Sequence, residues 1–292
     1  MELHLAPLEN VSCWAFRSLY TGASDSYTGM LSLTNLTKRA TTWEEVDTFP
    51  IEGQRQWIQI ATAKETECAT FLTKLEEELQ KHPEKDTIYG IQLNCSCPSP
   101  QLIRLGQGPA LIKRTTKVGK LLRELLKQTK YKIGIKVRLG LNEYEVAQRK
   151  IITLCRELEK LAHENANFTN VTIHFKHAQE PSSKAYSYSL LNEIASFKIP
   201  LIINGGITNE KDIQRVLAHI EPANRKNIKG IMIGREAMKN PNCFLEMNQE
   251  AKSQNQETRI IKNEFKALCA QHQPKQIYLT TIAEKTKPGL FL

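Results

Sequence analysis

The alternation of short apolar runs with amphipathic segments is the feature that most constrains the fold of this chain. The runs are rich in β-branched residues and apolar on both faces, which is typical of buried parallel strands. Seven of them lie at residues 3–7, 57–62, 88–94, 132–139, 170–175, 200–205 and 230–234, and a weaker eighth lies near 24–31. The chain is therefore expected to build a parallel sheet.

The segments between these runs carry apolar residues at helical spacing, which predicts helices with one buried face. The stripes are Cys68, Phe71, Leu72, Leu75 and Leu79; Val118, Leu121, Leu122 and Leu125; Ile151, Leu154, Cys155 and Leu158; and Ile213, Val216 and Leu217. The last helix has a candidate cap at Thr208 or Asn209. Strand–helix units over roughly 240 residues predict an α/β fold, a (β/α)8 TIM barrel. A doubly wound sheet is the alternative, although no GxGxxG follows the first strand.

The pattern changes after residue 244, which predicts two regions. We expect residues 1–244 to form the barrel and residues 245–292 to form a short C-terminal helical appendage. Ile261, Phe265 and Leu268 stand at helical spacing within 245–272, whereas the last twenty residues look loosely ordered.

The net charge and the cysteine content limit the kinds of partner and the cellular compartment that we expect. The formal net charge is +9, which attracts polyanions such as RNA or DNA, although excess charge also serves solubility. Seven irregularly spaced cysteines argue against a disulfide framework and favour a reducing cytoplasm. Neither a signal-peptide pattern nor a membrane span is visible, so we expect a cytoplasmic protein without a membrane anchor. No stable protein partner is indicated.

The predicted strand ends carry a polar, cationic set of residues. Barrel active sites lie at the C-terminal ends of the strands, so a ligand explains this set better than a core does. Residues 204–207 (NGGI) and 233–236 (IGRE) follow the last two strands, where barrels often hold phosphate on backbone N–H groups. Lys136 and Arg138 point the same way from one strand, and a buried charge there is costly unless it faces a ligand.

Two cysteines in the stretch QLNCSCPSPQ, residues 92–101, admit three interpretations. A metal site would need further ligands, for which His174 and His177 are candidates at the same mouth. A place in the core suits Cys95. Cys97 lies in a loop with two prolines, where packing gives little reason for a thiol, so a catalytic role stays open beside the structural one.

A series of segments resembles the tRNA-dihydrouridine synthases in order and spacing. The segments are LAPLENVSCWAFR (5–17), IQIAT (58–62), LNCSCP (93–98), GQGPALI (106–112), IKVRLG (135–140), VTIHFKH (171–177), IPLIINGGI (199–207) and GIMIGREAMKNPNCF (230–244). The resemblance implies an FMN-containing barrel with a C-terminal helical region, which reduces particular uridines of tRNA to 5,6-dihydrouridine. NADPH or NADH would re-reduce the flavin.

The resemblance also implies roles for residues. Cys97 matches the general acid, which would protonate C5 of uracil while FMN N5 delivers hydride to C6. The positions that match flavin ligands are Pro7, Gln59, Lys136, His174, Asn204, Gly206, Gly234 and Arg235. For the RNA substrate we predict contacts from Asn94, Arg138, Lys176 and Arg104. No metal is expected.

Several residues depart from the family pattern. Leu8 replaces a methionine, Gly29 stands where a carboxylate is usual, and Phe175, Lys176 and His177 replace Gly-Arg-Thr. The C-terminal region is short, so the modified uridine and the tRNA orientation stay open. The alternatives are a flavin barrel that reduces a free small molecule of the dihydroorotate or dihydropyrimidine type, and a catalytically degenerate RNA-binding homologue.

One helix is crowded with cations, and a solvated outer face is the favoured interpretation. Lys113 and Arg114, nearest the cysteine loop, are candidates for RNA contact. The remaining cations are Lys117, Lys120, Arg123 and Lys127.

Overall fold

The computed structural model of the chain describes residues 1–38, 40–127, 129–248 and 258–292. Its centre is a set of parallel strands whose residues are mostly buried. The strands are β1 (Glu2–Leu5), β2 (Asp25–Tyr27), β3 (Arg55–Ala61), β4 (Ile88–Cys95), β5 (Lys132–Arg138), β6 (Phe168–His174), β7 (Leu201–Asn204) and β8 (Ile228–Ile233).

The sheet closes on itself. Strand β1 pairs with both β2 and β8, β2 pairs with β3, and each later strand pairs with the next, all in parallel. A two-residue strand, Leu31–Ser32, pairs with the end of β3. The predicted TIM barrel is therefore confirmed, and the doubly wound alternative is wrong because an open sheet would leave two edges unpaired. The eighth strand, predicted only weakly near residues 24–31, is present as β2.

Helices cover the barrel, with their apolar stripes turned inward. The α-helices are α1 (Trp14–Ser18), α2 (Leu33–Lys38), α3 (Glu65–Lys81), α4 (Pro100–Arg104), α5 (Thr115–Leu126), α6 (Glu143–Ala147), α7 (Lys150–Glu164), α8 (Leu191–Ser196), α9 (Glu210–Leu217), α10 (Cys243–Met247), α11 (Thr258–His272) and α12 (Gln276–Lys285). Short 3-10 helices span Ala40–Glu45, Pro83–Lys85, Gly108–Lys113 and Pro222–Asn227. Of the two candidate caps for α9, Asn209 is the N-cap, and its side chain accepts a hydrogen bond from the Asp212 N–H.

The C-terminal helices pack on the outside of the barrel. Phe265 of α11 is fully buried, and its ring lies 5.6 Å from that of Phe291, which lies 5.5 Å from that of Phe16 in α1. The expectation that the last twenty residues are loosely ordered is wrong. They contain α12, and burial of Leu290 and Phe291 fixes the end of the chain. Residues 249–257 of the predicted helix lie outside the described residues.

None of the described helices is both long enough and apolar enough to cross a membrane.

Candidate active site

A cavity of about 540 Å³ opens at the C-terminal end of the barrel. Most of the residues predicted to bind ligands line it. They are Pro7, Lys136, Arg138, His174, Lys176, Asn204, Gly206, Gly234 and Arg235. The wall is therefore cationic and mainly built from the ends of β5 to β8, as expected from the order of the strand ends.

The turn after β7 exposes its backbone to this cavity. Gly205 has φ 113° and Gly206 has φ 68°, a left-handed conformation that side chains other than glycine adopt only with strain. Asn204 fixes the start of the turn, because its side-chain amide donates to the Met232 carbonyl on β8 at 2.8 Å. A rigid turn of this kind beside Arg235 suits an anion.

Lys136 is a cation in the cavity wall that has no ion-pair partner among the described residues. Its Nζ lies 3.4 Å from the Ser96 hydroxyl, and no carboxylate among the described residues stabilises its charge. Loss of hydration, with the nearby Arg138 guanidinium, lowers the pKa of Lys136 from 10.5 to about 7. Lys136 is half-buried, and a partly desolvated ammonium without a counter-ion is costly, so an anionic ligand would relieve the cost.

His174 is neutral at this position. Burial, followed by the charges of Lys136 and Arg138, lowers its pKa to about 2. Its Nδ1 lies 2.8 Å from the Asn204 Oδ1, and the Asn204 amide nitrogen already donates to Met232. Nδ1 must then carry the proton, which leaves Nε2 as a hydrogen-bond acceptor.

The loop after β4 is organised by Asn94. Its Oδ1 accepts hydrogen bonds from the backbone N–H groups of Ser96 and Cys97, both at 2.9 Å. Arg138 fixes the loop from the other side, since its Nε donates to the Ser96 carbonyl at 2.7 Å. Gly108, with φ 57°, allows the close approach of the Cys97 carbonyl, which would lie 2.9 Å from a Cβ there. This loop therefore fixes the position of Cys97. The next residue, Pro98, lines the cavity, whereas Cys97 itself is not one of its lining residues.

The two cysteines of this loop differ in environment. Cys95 is 4% exposed and lies in the core, whereas Cys97 is half-buried. Burial raises the pKa of the Cys97 thiol, against the opposing effect of Lys136 and Arg138. Cys97 therefore keeps its proton at neutral pH, as a proton donor must.

Gln59 and Asn94 belong to a buried chain of hydrogen bonds inside the barrel. Asn94 donates to Gln59, which donates to Gln92, both at 2.7 Å. Gln92 donates in turn to Asn170 and Thr172 at 3.3 Å. Neither Gln59 nor Asn94 lines the cavity, so their predicted ligand contacts stay predictions.

The structure distinguishes the substituted residues 175–177. Phe175 is fully buried in the core, while the Nζ of Lys176 reaches the cavity and donates to the carbonyls of Pro181 and Ser182. The backbone N–H of His177 is held by Glu180. Lys176 is thus the cation that this stretch presents to the cavity.

The other cations predicted to contact RNA, Arg104, Lys113 and Arg114, lie away from the cavity wall. Arg104 is exposed at the end of α4. On the basic helix, Lys117, Arg123 and Lys127 pair with glutamates, and Lys113 pairs with Glu145. These pairs support a solvated outer face.

Metal-ligand geometry occurs elsewhere. Among the described residues, only Glu2, His4 and Asp25 bring three such side chains together, at the opposite end of the barrel. Arg55 already binds both carboxylates at 2.6 Å. The cysteines and histidines considered for a metal do not form such a group.

Sequence analysis missed Tyr186, which lines the cavity. Arg235 donates to its hydroxyl at 2.7 Å, and the Lys176 ammonium lies 4.6 Å from its ring centroid. It lies in a segment without helical or strand periodicity, so only its aromatic character could have drawn notice.

These features define a class of protein: a (β/α)8 barrel with a cationic cavity at the end where such barrels carry their active sites. The sequence profile of the dihydrouridine synthase family matches residues 4–286. The chain belongs to this family, and the family predicted from its motifs is confirmed.

Individual relatives are similar to this chain in sequence, and one solved structure is similar to it in fold. The chain is 28% identical over 285 residues to a "probable tRNA-dihydrouridine synthase" of Helicobacter pylori strain ATCC 700392 / 26695, covering 94% of this chain and 76% of the relative. It is 22% identical to the "tRNA-dihydrouridine(20) synthase [NAD(P)+]" of Schizosaccharomyces pombe, covering 67% of this chain and 37% of the relative. A GH18 chitinase from Pseudoalteromonas aurantia superposes with a TM-score of 0.52 at 12% identity, covering 85% of this chain and 99% of that one. The last similarity concerns the fold alone.

Proposed function

We propose that this protein reduces specific uridines of tRNA to 5,6-dihydrouridine. The observation that carries the proposal is the family match over residues 4–286, which spans both the barrel and the C-terminal helices. The cationic cavity, with a protonated thiol in the adjacent loop, is consistent with it.

The donor set of the cavity fits FMN. The glycine turn after β7 and Arg235 suit a phosphate, and Lys136 suits a ring that gains negative charge on reduction. His174 offers a neutral acceptor. Gln59, also predicted to contact the flavin, has its amide held by Asn94 and Gln92. When bound, FMN supplies a hydride for C6 of the uracil ring.

Cys97 is the proposed general acid. Its raised pKa keeps the thiol protonated, so Sγ can hand its proton to C5 while Lys136 and Arg138 stabilise the thiolate that remains. Asn94 and Arg138 keep the loop in place during this transfer, since they hold its backbone rather than its thiol.

The tRNA must present an extruded base to the cavity, at a cost of a few kcal/mol for unstacking. We assign residues 1–244 to the catalytic barrel and residues 245–292 to a helical region that assists tRNA contact. Tyr278 shows that α12 reaches the C-terminal end of β2, because its hydroxyl would lie 3.9 Å from a Cβ at Gly29, just after that strand. Arg138, Lys176 and Arg104 are the proposed RNA-facing cations.

The proposed reductant is NADPH or NADH. The name of the fission-yeast relative specifies NAD(P)+, and no separate dinucleotide motif occurs in this sequence, so one cavity would serve both half-reactions. The seven cysteines are all free, which is consistent with a cytoplasmic enzyme.

Absorbance of the purified protein tests the function. A yellow protein is expected, with flavin absorption that NADPH bleaches under anaerobic conditions and that tRNA lacking dihydrouridine restores. Restoration by free orotate but not by tRNA would favour a small-molecule reductase. A colourless protein that still retards tRNA would favour a degenerate RNA-binding homologue. Mapping dihydrouridine in tRNA from cells without the protein would identify the uridine.

A further inference from the structure

Tyr186 is a fixed part of the cavity wall. Its ring lies on the turn after β7, where a Cβ at Gly205 would come within 2.3 Å of it and a Cβ at Gly206 within 2.7 Å. The edge of His174 meets the ring at a centroid distance of 5.4 Å. The absence of side chains at the two glycines therefore makes room for the tyrosine ring.

The hydroxyl of Tyr186 is oriented by a cation. Arg235 Nη2 donates to it at 2.7 Å, so the oxygen acts as acceptor, and its own proton has no acceptor among the described residues. A hydroxyl polarised in this way is a good donor to an anion.

The surroundings of this proton are positive. Arg235 contacts the Tyr186 hydroxyl, and Lys176 lies over the face of its ring.

With Tyr186 in place the cavity still measures about 540 Å³, within the roughly 300–1,000 Å³ typical of small-ligand sites. The tyrosine therefore borders the space and leaves it open.

The neighbouring backbone supports this placement. Lys176 holds the carbonyls of Pro181 and Ser182, and the Tyr188 hydroxyl donates to the Gly205 carbonyl at 2.6 Å. Tyr186 lies between these two attachments, so its segment is tied both to β6 and to the glycine turn. Its hydroxyl is thereby positioned beside the backbone of that turn.

We propose that Tyr186 is a phosphate ligand of this cavity, which donates its hydroxyl proton to the phosphate group of FMN while Arg235 holds its oxygen. The inference rests on the proposed function and deepens it, since it adds a residue from the segment after β6 to the phosphate site. The proposal commits to the phosphate of the mononucleotide rather than to a phosphodiester of tRNA.

The test compares FMN with riboflavin, which lacks the phosphate, on the flavin-free full-length protein. Tyr186→Phe keeps the ring and removes the hydroxyl, so we expect FMN affinity to fall about tenfold while riboflavin affinity stays unchanged. Quenching of flavin fluorescence measures both. Tyr144→Phe is the control, because Tyr144 is 66% exposed and lies outside the cavity wall.

A second measurement tests whether Tyr186 and Arg235 act together. In an Arg235→Met background the hydroxyl is no longer held, so Tyr186→Phe should cost about threefold or less in FMN affinity. Equal costs in both backgrounds would overturn the role assigned to Arg235.

Other outcomes contradict the proposal. An equal loss for FMN and riboflavin would show a structural role, and tighter FMN binding would show an obstruction. Weaker tRNA binding with unchanged FMN affinity would assign Tyr186 to the RNA. If the wild type binds neither flavin, the proposed function fails. Titration with inorganic phosphate then decides separately: weaker binding in Tyr186→Phe supports the ligand role, and no binding to the wild type refutes it.

Discussion

Cys97 is a thiol that burial, above all, keeps protonated, which suits the acid role proposed for it. Its pKa is raised, unlike that of a nucleophilic cysteine, because desolvation outweighs the nearby cations. Cys95, two residues earlier, is more deeply buried. The pair therefore allows the thiol proposed to react to be compared with a packed one.

Cys97→Ala should lower turnover of tRNA by about 10²- to 10⁴-fold, the usual contribution of a general acid, with FMN and tRNA binding unchanged. Single-turnover oxidation of the reduced protein by tRNA measures the effect. Cys95→Ala is the matched control and should keep its turnover. Undiminished dihydrouridine formation in Cys97→Ala would rule out the acid role.

If Lys136 contacts FMN as proposed, we expect FMN binding to depend on pH. Its pKa of about 7 in the free protein means that it is charged below pH 7 and neutral above. FMN affinity should therefore fall as the pH rises through 7 to 9. Lys136→Met should bind FMN poorly. The only pH dependence left in its FMN affinity should come from titration of the FMN phosphate near pH 6. A wild-type affinity that is flat above pH 7 would contradict this.

The same residue should cost stability. The unfolded chain retains a lysine with the ordinary pKa of 10.5, so between pH 7 and 10.5 it binds more protons than the folded protein. Stability of the flavin-free protein should then rise with pH across this window. Lys136→Met should stabilise it by about 1–3 kcal/mol at pH 6, measured by urea denaturation. Destabilisation would show a hidden counter-charge.

At the scale of elements, the loop after β4 depends on backbone contacts. Asn94 holds it from within, Arg138 from β5, and Gly108 from the 3-10 helix that follows α4. The approach of Gly108 to the Cys97 carbonyl requires the absence of a side chain.

Gly108→Ala should lower the free energy of unfolding by about 1–3 kcal/mol and reduce turnover, because the Cβ would displace the Cys97 carbonyl. Gly53→Ala is the matched control, since Gly53 also has positive φ, 74°, with nothing within 4 Å of an added Cβ. It should show the backbone strain without the loss of turnover. Equal turnover in the two variants would mean that the loop position does not matter.

At the scale of the molecule, the C-terminal helices and the barrel share one apolar core. Ile261 and Phe265 of α11 are buried, and so is Phe291 near the end of the chain. All three belong to the hydrophobic cluster that also contains the barrel strands. This continuity predicts that both parts unfold together.

Phe265→Ala should destabilise the whole protein by about 3–5 kcal/mol in a single denaturation transition, as loss of a buried aromatic side chain does. Ile260→Ala, at a position 52% exposed, should change stability by less than about 0.5 kcal/mol. Two separate transitions, with the barrel unaffected, would show that the helices are an independent unit.

The sequence by itself determined the barrel and the order of its strand ends. Runs such as 132–139 are apolar on both faces because a barrel strand is buried on both, and this left a clear signal. The same register placed Lys136, Arg138, His174 and Asn204 at one end. Pro98, directly after Cys97, marked the loop that follows β4.

The tertiary structure alone decided which of these side chains face the cavity. Gln59 and Asn94 turn into the barrel, where Asn94 donates to Gln59 and Gln59 donates to Gln92. Lys176 turns toward the cavity beside buried Phe175. Tyr186 reaches the wall from a segment without periodicity. Such orientations depend on contacts between residues far apart in the chain, such as Asn94 with Gln59 and Tyr188 with Gly205, and local patterns carry no record of them.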